Sequence, residues 1–376
     1  MRRSSAASSS GLTWGLAITF VALINVLLVR SPLIWAKTTL WMRGQAAGTA
    51  FWQTYDVART LYRPRPAAAV RVAILGNSRI WIPAQASFVE AEIKRVAPAL
   101  DVRVDNLAFF GAHIGDVEIV SRHLDRLEPT LVIVGLGGSE LLPTEWGQLV
   151  NPTGRFLDIG WSDGPVPPDG LAGRVDRWAR TVWPLYRFRT FARYAIEDRL
   201  LPDPLSVRFP DHFASSAEVF GFLDPDKALE IEAAYQAWRR DGALSSFVSY
   251  LTVKSNMVGV VEPLPDPSAL TADSLGMKTL DRLLSRLAGS SWKSFVLLMP
   301  ENPLLDLDTQ GVYHRPGFSD RAAQLIAQAA GRYHIQVVDG RRWMPPEAFA
   351  DFLHLMPDIS GFQTPLVQEI LHELES

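Results

Sequence analysis

The sequence predicts an α/β fold, a three-layer arrangement with a parallel sheet and helices on both faces, behind an N-terminal transmembrane helix and with a large helical insertion. Three observations predict it. Short apolar, β-branched runs alternate with stretches of helical spacing. The segment Gly11–Val29 carries no charge. The strand–helix rhythm stops between Leu142 and Trp292 and then resumes.

Taken in order, Met1–Ser10 is a short polar tail with Arg2 and Arg3. Gly11–Val29 (GLTWGLAITFVALINVLLV) then matches, at ~1.5 Å per residue, a hydrocarbon core of ~30 Å. A membrane anchor over 11–30 is the expectation. A cleaved signal peptide fits less well, because the run passes directly into Arg30-Ser31-Pro32 without a small-residue cleavage site. Arg2 and Arg3 favour an inside N-terminus, while Arg30, Lys37 and Arg43 compete from the other side. A short tail before a large C-terminal domain suits a single-pass signal anchor with the domain outside. Residues 31–66 form a juxtamembrane segment and linker. Trp35, Trp41, Met42, Phe51, Trp52 and Tyr55 suit either an interfacial amphipathic helix or a stalk packed on the domain.

The α/β domain spans 67–376. Ala69–Leu75, Val102–Phe109 and Leu131–Leu136 read as strands, with helices over Ala84–Val96 and Ile114–Leu127. After the break, Ser294–Met299 and Ile335–Val338 are strand-like, Asp320–Ala330 is helical, and Gly361–Leu374 closes the chain as a helix. The insertion, 143–290, opens with the Gly/Pro/Asp-rich Asn151–Gly173. Helical stretches follow near Arg174–Leu200, Asp226–Arg240, Leu244–Val253 and Thr271–Leu287. Its aromatics Trp178, Trp183, Tyr186, Phe188, Phe191 and Tyr194 fall at helical spacing. They suit packing onto the core, with a binding cleft or partner surface as the alternative.

Composition excludes several functions. The net charge of -3 leaves no basic footprint for nucleic acid. With no cysteine, disulfides, thiolate catalysis and Cys-ligated zinc are impossible. The seven histidines show no HxH or HExxH spacing, so neither a metal nor any other cofactor is expected.

In an open parallel sheet, ligands bind beyond the carboxyl ends of the strands, and the distinctive residues fall there. The first strand ends in Gly76-Asn77-Ser78-Arg79. A serine between strand and helix can expose its hydroxyl, and its N–H can help bind an oxyanion; a plain turn or helix cap is the rival reading. Far downstream, Asp351-Phe352-Leu353-His354 offers an imidazole with a carboxylate one turn of loop away. A nucleophilic serine needs that pair to remove its proton and fix the ring tautomer. Each motif alone is common. Their order on an alternating α/β chain is less so.

These blocks resemble those of the SGNH (GDSL-like) hydrolase family. Gly76-Asn77-Ser78 stands for the Gly-Asp-Ser block, with Asn in place of Asp. Asn106 to Gly111 matches the second block, which makes Gly111 an oxyanion donor by resemblance. Gly137-Gly138-Ser139-Glu140 occupies the Gly-x-Asn-Asp block, so Ser139 stands where asparagine is expected. Asp351-x-x-His354 meets the last block in full. The departure at Ser139 matters, because losing one oxyanion donor costs ~3 kcal/mol of transition-state stabilisation. Glu140 is either a structural acid at a helix start or a substrate contact. The chain is also similar to single-span envelope members of the family, namely teichoic acid D-alanyl transfer proteins and exopolysaccharide acetylation proteins. It shares Met299-Pro300-Glu301-Asn302-Pro303 after the fourth strand.

The resemblance implies a serine esterase or O-acyltransferase with Ser78, Asp351 and His354 as triad and Ser78, Gly111 and Ser139 as oxyanion hole. Asn77, Arg79, Glu140 and Asn302 are weaker candidates for substrate contact. It implies a bacterial inner-membrane protein with its domain on the periplasmic side, and an envelope polysaccharide or lipid-linked acyl substrate at the membrane, beside a membrane-bound O-acyltransferase or polysaccharide synthase. Two other readings stay open: a non-catalytic scaffold for such a partner, and a glycan-binding module.

Overall fold

In the computed structural model, the residues described are 13, 15–23, 57, 60–61, 68, 70–109, 111–142, 175, 178, 228–243, 245–246, 248–250, 267–303, 305, 317–349, 353–355 and 361–376. The chain forms two compact units, Met1–Arg65 with Phe156–Arg208 and Pro66–Arg155 with Phe209–Ser376. The second holds a five-stranded sheet, every pairing parallel, in the order β2-β1-β3-β4-β5.

β1 (Val70–Leu75), β3 (Leu131–Leu136) and β4 (Lys293–Leu298) are the interior strands. Their near-continuous apolar sequences reflect burial on both faces. The edge strands β2 (Val102–Asn106) and β5 (Gln336–Asp339) are shorter and carry more polar residues. Alternation along each strand divides the core. Val72, Ile74, Ile133, Phe295 and Leu297 face one way, into a cluster with Val89 and Ile93 of α2 (Ala86–Val96) and Leu366, Val367 and Ile370 of α7 (Gln363–Glu375). Ala73, Leu75, Val132, Val134 and Val296 are equally buried and point to the opposite face. Each fully buried Leu, Ile or Phe contributes about 1.5–3 kcal/mol.

Of three further helices, α3 (Ile114–Ser121), α5 (Leu275–Ala288) and α6 (Phe318–Gly331), α5 packs against both of the others. All eight residues of α3 are buried, which explains its lack of a polar stripe. α5 buries Leu280, Leu283, Leu284 and Leu287. It leads into β4 and is part of this packing, although it lies within the segment 143–290. Also in that segment, α4 (Ala228–Asp241) brings Tyr235 and Trp238 onto Tyr250, with Trp238 and Tyr250 stacked at 5.8 Å.

Of the uncharged N-terminal run, residues 13 and 15–23 are described; all are helical and exposed. Leu16, Ile18, Phe20 and Leu23 are each more than half exposed. Among the described residues no helix is long and apolar enough to cross a membrane. The juxtamembrane aromatics and, apart from Trp178, the insertion aromatics lie outside the described residues.

After β1 the chain pairs a strand on one side (β2), then crosses back to pair on the other (β3). That reversal opens a crevice beyond the carboxyl ends of β1 and β3, where such sheets bind ligands.

Candidate active site

β1 ends at Gly76, whose φ of 148° lies where side-chain-bearing residues are strained. A Cβ there would also approach the Gly135 carbonyl oxygen to 2.6 Å, so only glycine lets β1 leave the sheet this close to β3. Asn77 then caps a single helical turn, α1 (Ser78–Trp81): its Oδ1 accepts from the Arg79 N–H at 2.9 Å. Buried Ile80 pins this turn down.

Ser78 begins the turn and is 6% exposed. Its Oγ lies 2.8 Å from Nε2 of His354, across 276 residues of sequence. The histidine sits beside Leu355, which forms an isolated antiparallel bridge with Phe349. Both bridge residues are buried, so the bridge fixes the backbone next to the ring. Asp351, expected to orient that ring, lies outside the described residues.

The loop after β2 is fastened to β1 by Leu107 N–H donating to the Ile74 carbonyl (2.7 Å) and Phe109 N–H to that of Gly76 (3.3 Å). Asn106 ties the same region to α1. Its Nδ2 donates to the carbonyls of Trp81 and Ala84, and its Oδ1 accepts from Ala108 N–H. Gly111 follows with φ 69°, the left-handed region.

Beyond β3, Glu140 is 3% exposed and braces the crevice. Its Oε1 accepts from Asn77 Nδ2 at 2.5 Å and its Oε2 from the Gly137 N–H at 2.8 Å. The Ser139 hydroxyl donates to Glu140 Oε2 at 3.4 Å. Of the two sequence readings for Glu140, the structural acid fits this geometry. The Ser139 hydroxyl is turned toward that carboxylate. His113, at the start of α3, has its basicity lowered by burial; the charge of Glu140 and a hydrogen bond to the Leu142 backbone oppose the effect.

Arg79 and Asn302, weak candidates for substrate contact, are turned inward, 4% and 1% exposed. Arg79 crosses Gly137 to donate from Nη2 to the carbonyls of Pro300 (2.8 Å) and Met299 (3.4 Å). It forms no ion pair among the described residues and acts as a strut between α1 and the end of β4. The sequence indicated neither this strut nor the Asn77–Glu140 bridge, because both are contacts between loops distant in the chain.

A serine hydroxyl at 2.8 Å from an imidazole nitrogen can hand over its proton as it attacks an electrophile. Among the described residues no cluster of His, Asp or Glu could hold a metal ion. Neither a scan against protein-family models nor a search of curated proteins gave a match.

Proposed function

We propose that the chain is a membrane-anchored serine esterase or O-acyltransferase of SGNH type, acting on acyl esters of a cell-envelope glycan or lipid-linked substrate. The observation that carries this reading is the 2.8 Å contact between Ser78 Oγ and His354 Nε2 at the carboxyl end of a parallel sheet. The strand order 2-1-3-4-5 is that of flavodoxin-like doubly wound sheets, which supports the finer fold assignment.

In this reading His354 takes the Ser78 proton as Oγ attacks the acyl carbonyl, and Asp351 holds the imidazole. The N–H groups of Ser78 and Gly111 stabilise the oxyanion; Ser139 adds a third donor only if its hydroxyl turns away from Glu140. The C–O bond to the leaving alcohol breaks as His354 returns the proton to it. Water or a sugar hydroxyl then attacks the acyl-serine, gives its proton to His354, and releases Ser78. The uncharged Gly11–Val29 run and the exposure of its described helical residues support a single-pass anchor. The placement of Arg2 and Arg3 before that run favours a periplasmic domain; a membrane-bound O-acyltransferase or polysaccharide synthase as its partner is what the SGNH resemblance implies.

The test is labelling of the full chain, in detergent, with a fluorophosphonate, followed by mass spectrometry. Label on Ser78 that disappears in Ser78→Ala and falls in His354→Ala supports the reading. A folded chain that takes no label overturns it. The second reading is a non-catalytic scaffold for a membrane synthase or acyltransferase, favoured by one observation: the Ser139 hydroxyl is directed at Glu140. Full restoration of glycan modification by Ser78→Ala would select the scaffold.

A further inference from the structure

The carboxylate of Glu140 accepts on both oxygens, from Asn77 Nδ2 on one and from the Gly137 N–H on the other. The amide of Asn77 is used equally fully: Nδ2 donates to Glu140, while Oδ1 accepts from the Arg79 N–H and so caps the turn that presents Ser78. This chain of hydrogen bonds has a direction, N–H of Arg79 to Oδ1, then Nδ2 to Oε1, with Oε2 receiving Gly137. Each group can occupy only its present place. A glutamine at 140 would bring an NH₂ against a second donor, and an aspartate at 77 would set two carboxylates against each other.

We propose that Glu140 is a positioning residue for Ser78, acting through Asn77 and the Gly137 N–H. The proposal rests on the acyl-transfer reading and deepens it. Among the described residues, the other charged or titratable groups facing this bridge are Arg79, packed over Gly137, and His113, which feels the Glu140 charge; His354 stands beyond Ser78.

The experiment exchanges acid and amide. In the double variant Asn77→Asp with Glu140→Gln, the carboxylate now at position 77 accepts from the Arg79 N–H and from the amide nitrogen now at position 140. The oxygen of that same amide accepts from the Gly137 N–H, so all three hydrogen bonds are remade. The full-length protein in detergent, the two single variants and the double are labelled with a fluorophosphonate between pH 5.5 and about 9, and each rate is divided by that of the unmodified chain at the same pH.

Asn77→Asp should lose about tenfold at the alkaline end and recover toward the acid end, where the two carboxylates share a proton. Glu140→Gln should be slow throughout. The double variant should return to within about threefold of the unmodified chain at every pH. A residue that merely supports the fold would give no such pH profile. A double variant no faster than the slower single, or an Asn77→Asp deficit that does not change with pH, overturns the positioning role while leaving the acyl-transfer reading intact. An unlabelled unmodified chain overturns both. Should Glu140→Gln fail to fold, the double variant decides alone: folded and labelled supports the role, unfolded refutes it.

Discussion

Replacing Gly137 with alanine would put a methyl group where Arg79 Nη1 now lies and 2.9 Å from Glu140 Oε2. Arg79 is 4% exposed and has no open path to water, so the guanidinium must retreat from Pro300. Losing a hydrogen bond from a charged donor costs about 1.5–3 kcal/mol, and weakening the one from the Gly137 N–H to the Glu140 carboxylate adds about 1 kcal/mol. The φ of Gly137 is outside the left-handed region, so alanine recovers about 0.4–1 kcal/mol from the less flexible unfolded chain. The net expectation is a loss of about 2–3 kcal/mol, a fall of about 5 °C or more in the melting temperature of a domain this size. Thermal unfolding of the full chain in detergent, followed by near-UV circular dichroism, measures it. The decisive comparison repeats the substitution in an Arg79→Met background. Methionine has no guanidinium over Gly137, so the added penalty there should drop below about 1 kcal/mol. An equal penalty in both backgrounds would refute the collision with Arg79 as its cause.

Two further expectations concern pH. The hydrogen bond from Arg95, joined by one from Thr364 of α7, draws the Glu92 carboxyl down to about 2. Its stabilisation is therefore complete above the ordinary carboxylate range and lost as the pH falls toward 2. Because Arg95 is largely exposed, solvent screening limits the effect to about 0.5–1 kcal/mol. Urea unfolding of Glu92→Gln should show that deficit at pH 7 and none near pH 2; a constant deficit would remove the ion pair as its source. His113 is held neutral by burial, its affinity for a proton reduced in the fold. The stability tied to it is present above the ordinary histidine range and disappears on acidification, so His113→Asn should flatten the stability curve below about pH 6.5. An unaltered curve would show that another group titrates there.

Much of the sheet was legible because interior strands must be apolar on both faces. Leu131–Leu136 reads from sequence with the bounds it has in the structure, and the runs for β1 and β4 differ from theirs by no more than one residue at either end. β2 was harder: the apolar run reaches Phe109, yet the strand stops at Asn106, whose side chain bonds Trp81 and Ala84 and turns the backbone out of the sheet. α5 was obscured by distance, since the long segment before it hides its role as the crossover into β4. In the site, the order of the Gly76-Asn77-Ser78 and Asp351-x-x-His354 blocks foretold the meeting of Ser78 with His354. The inward turn of Arg79 and the grip of Glu140 on Asn77 were not legible. They depend on which carbonyls and donors the loop ends bring together, and local sequence does not encode that.

The separation of 276 positions between Ser78 and His354 gives their contact a temporal meaning. A chain emerging from the ribosome presents its serine early, and domains begin to fold from the N-terminus as synthesis proceeds. The histidine arrives only after β5 has been made. Until then Ser78 has no imidazole beside it, whatever part of the sheet has formed. On the acyl-transfer reading, reactivity at this serine therefore waits for the segment that carries His354, and a covalent probe aimed at it would pass over nascent chains that have not reached that segment.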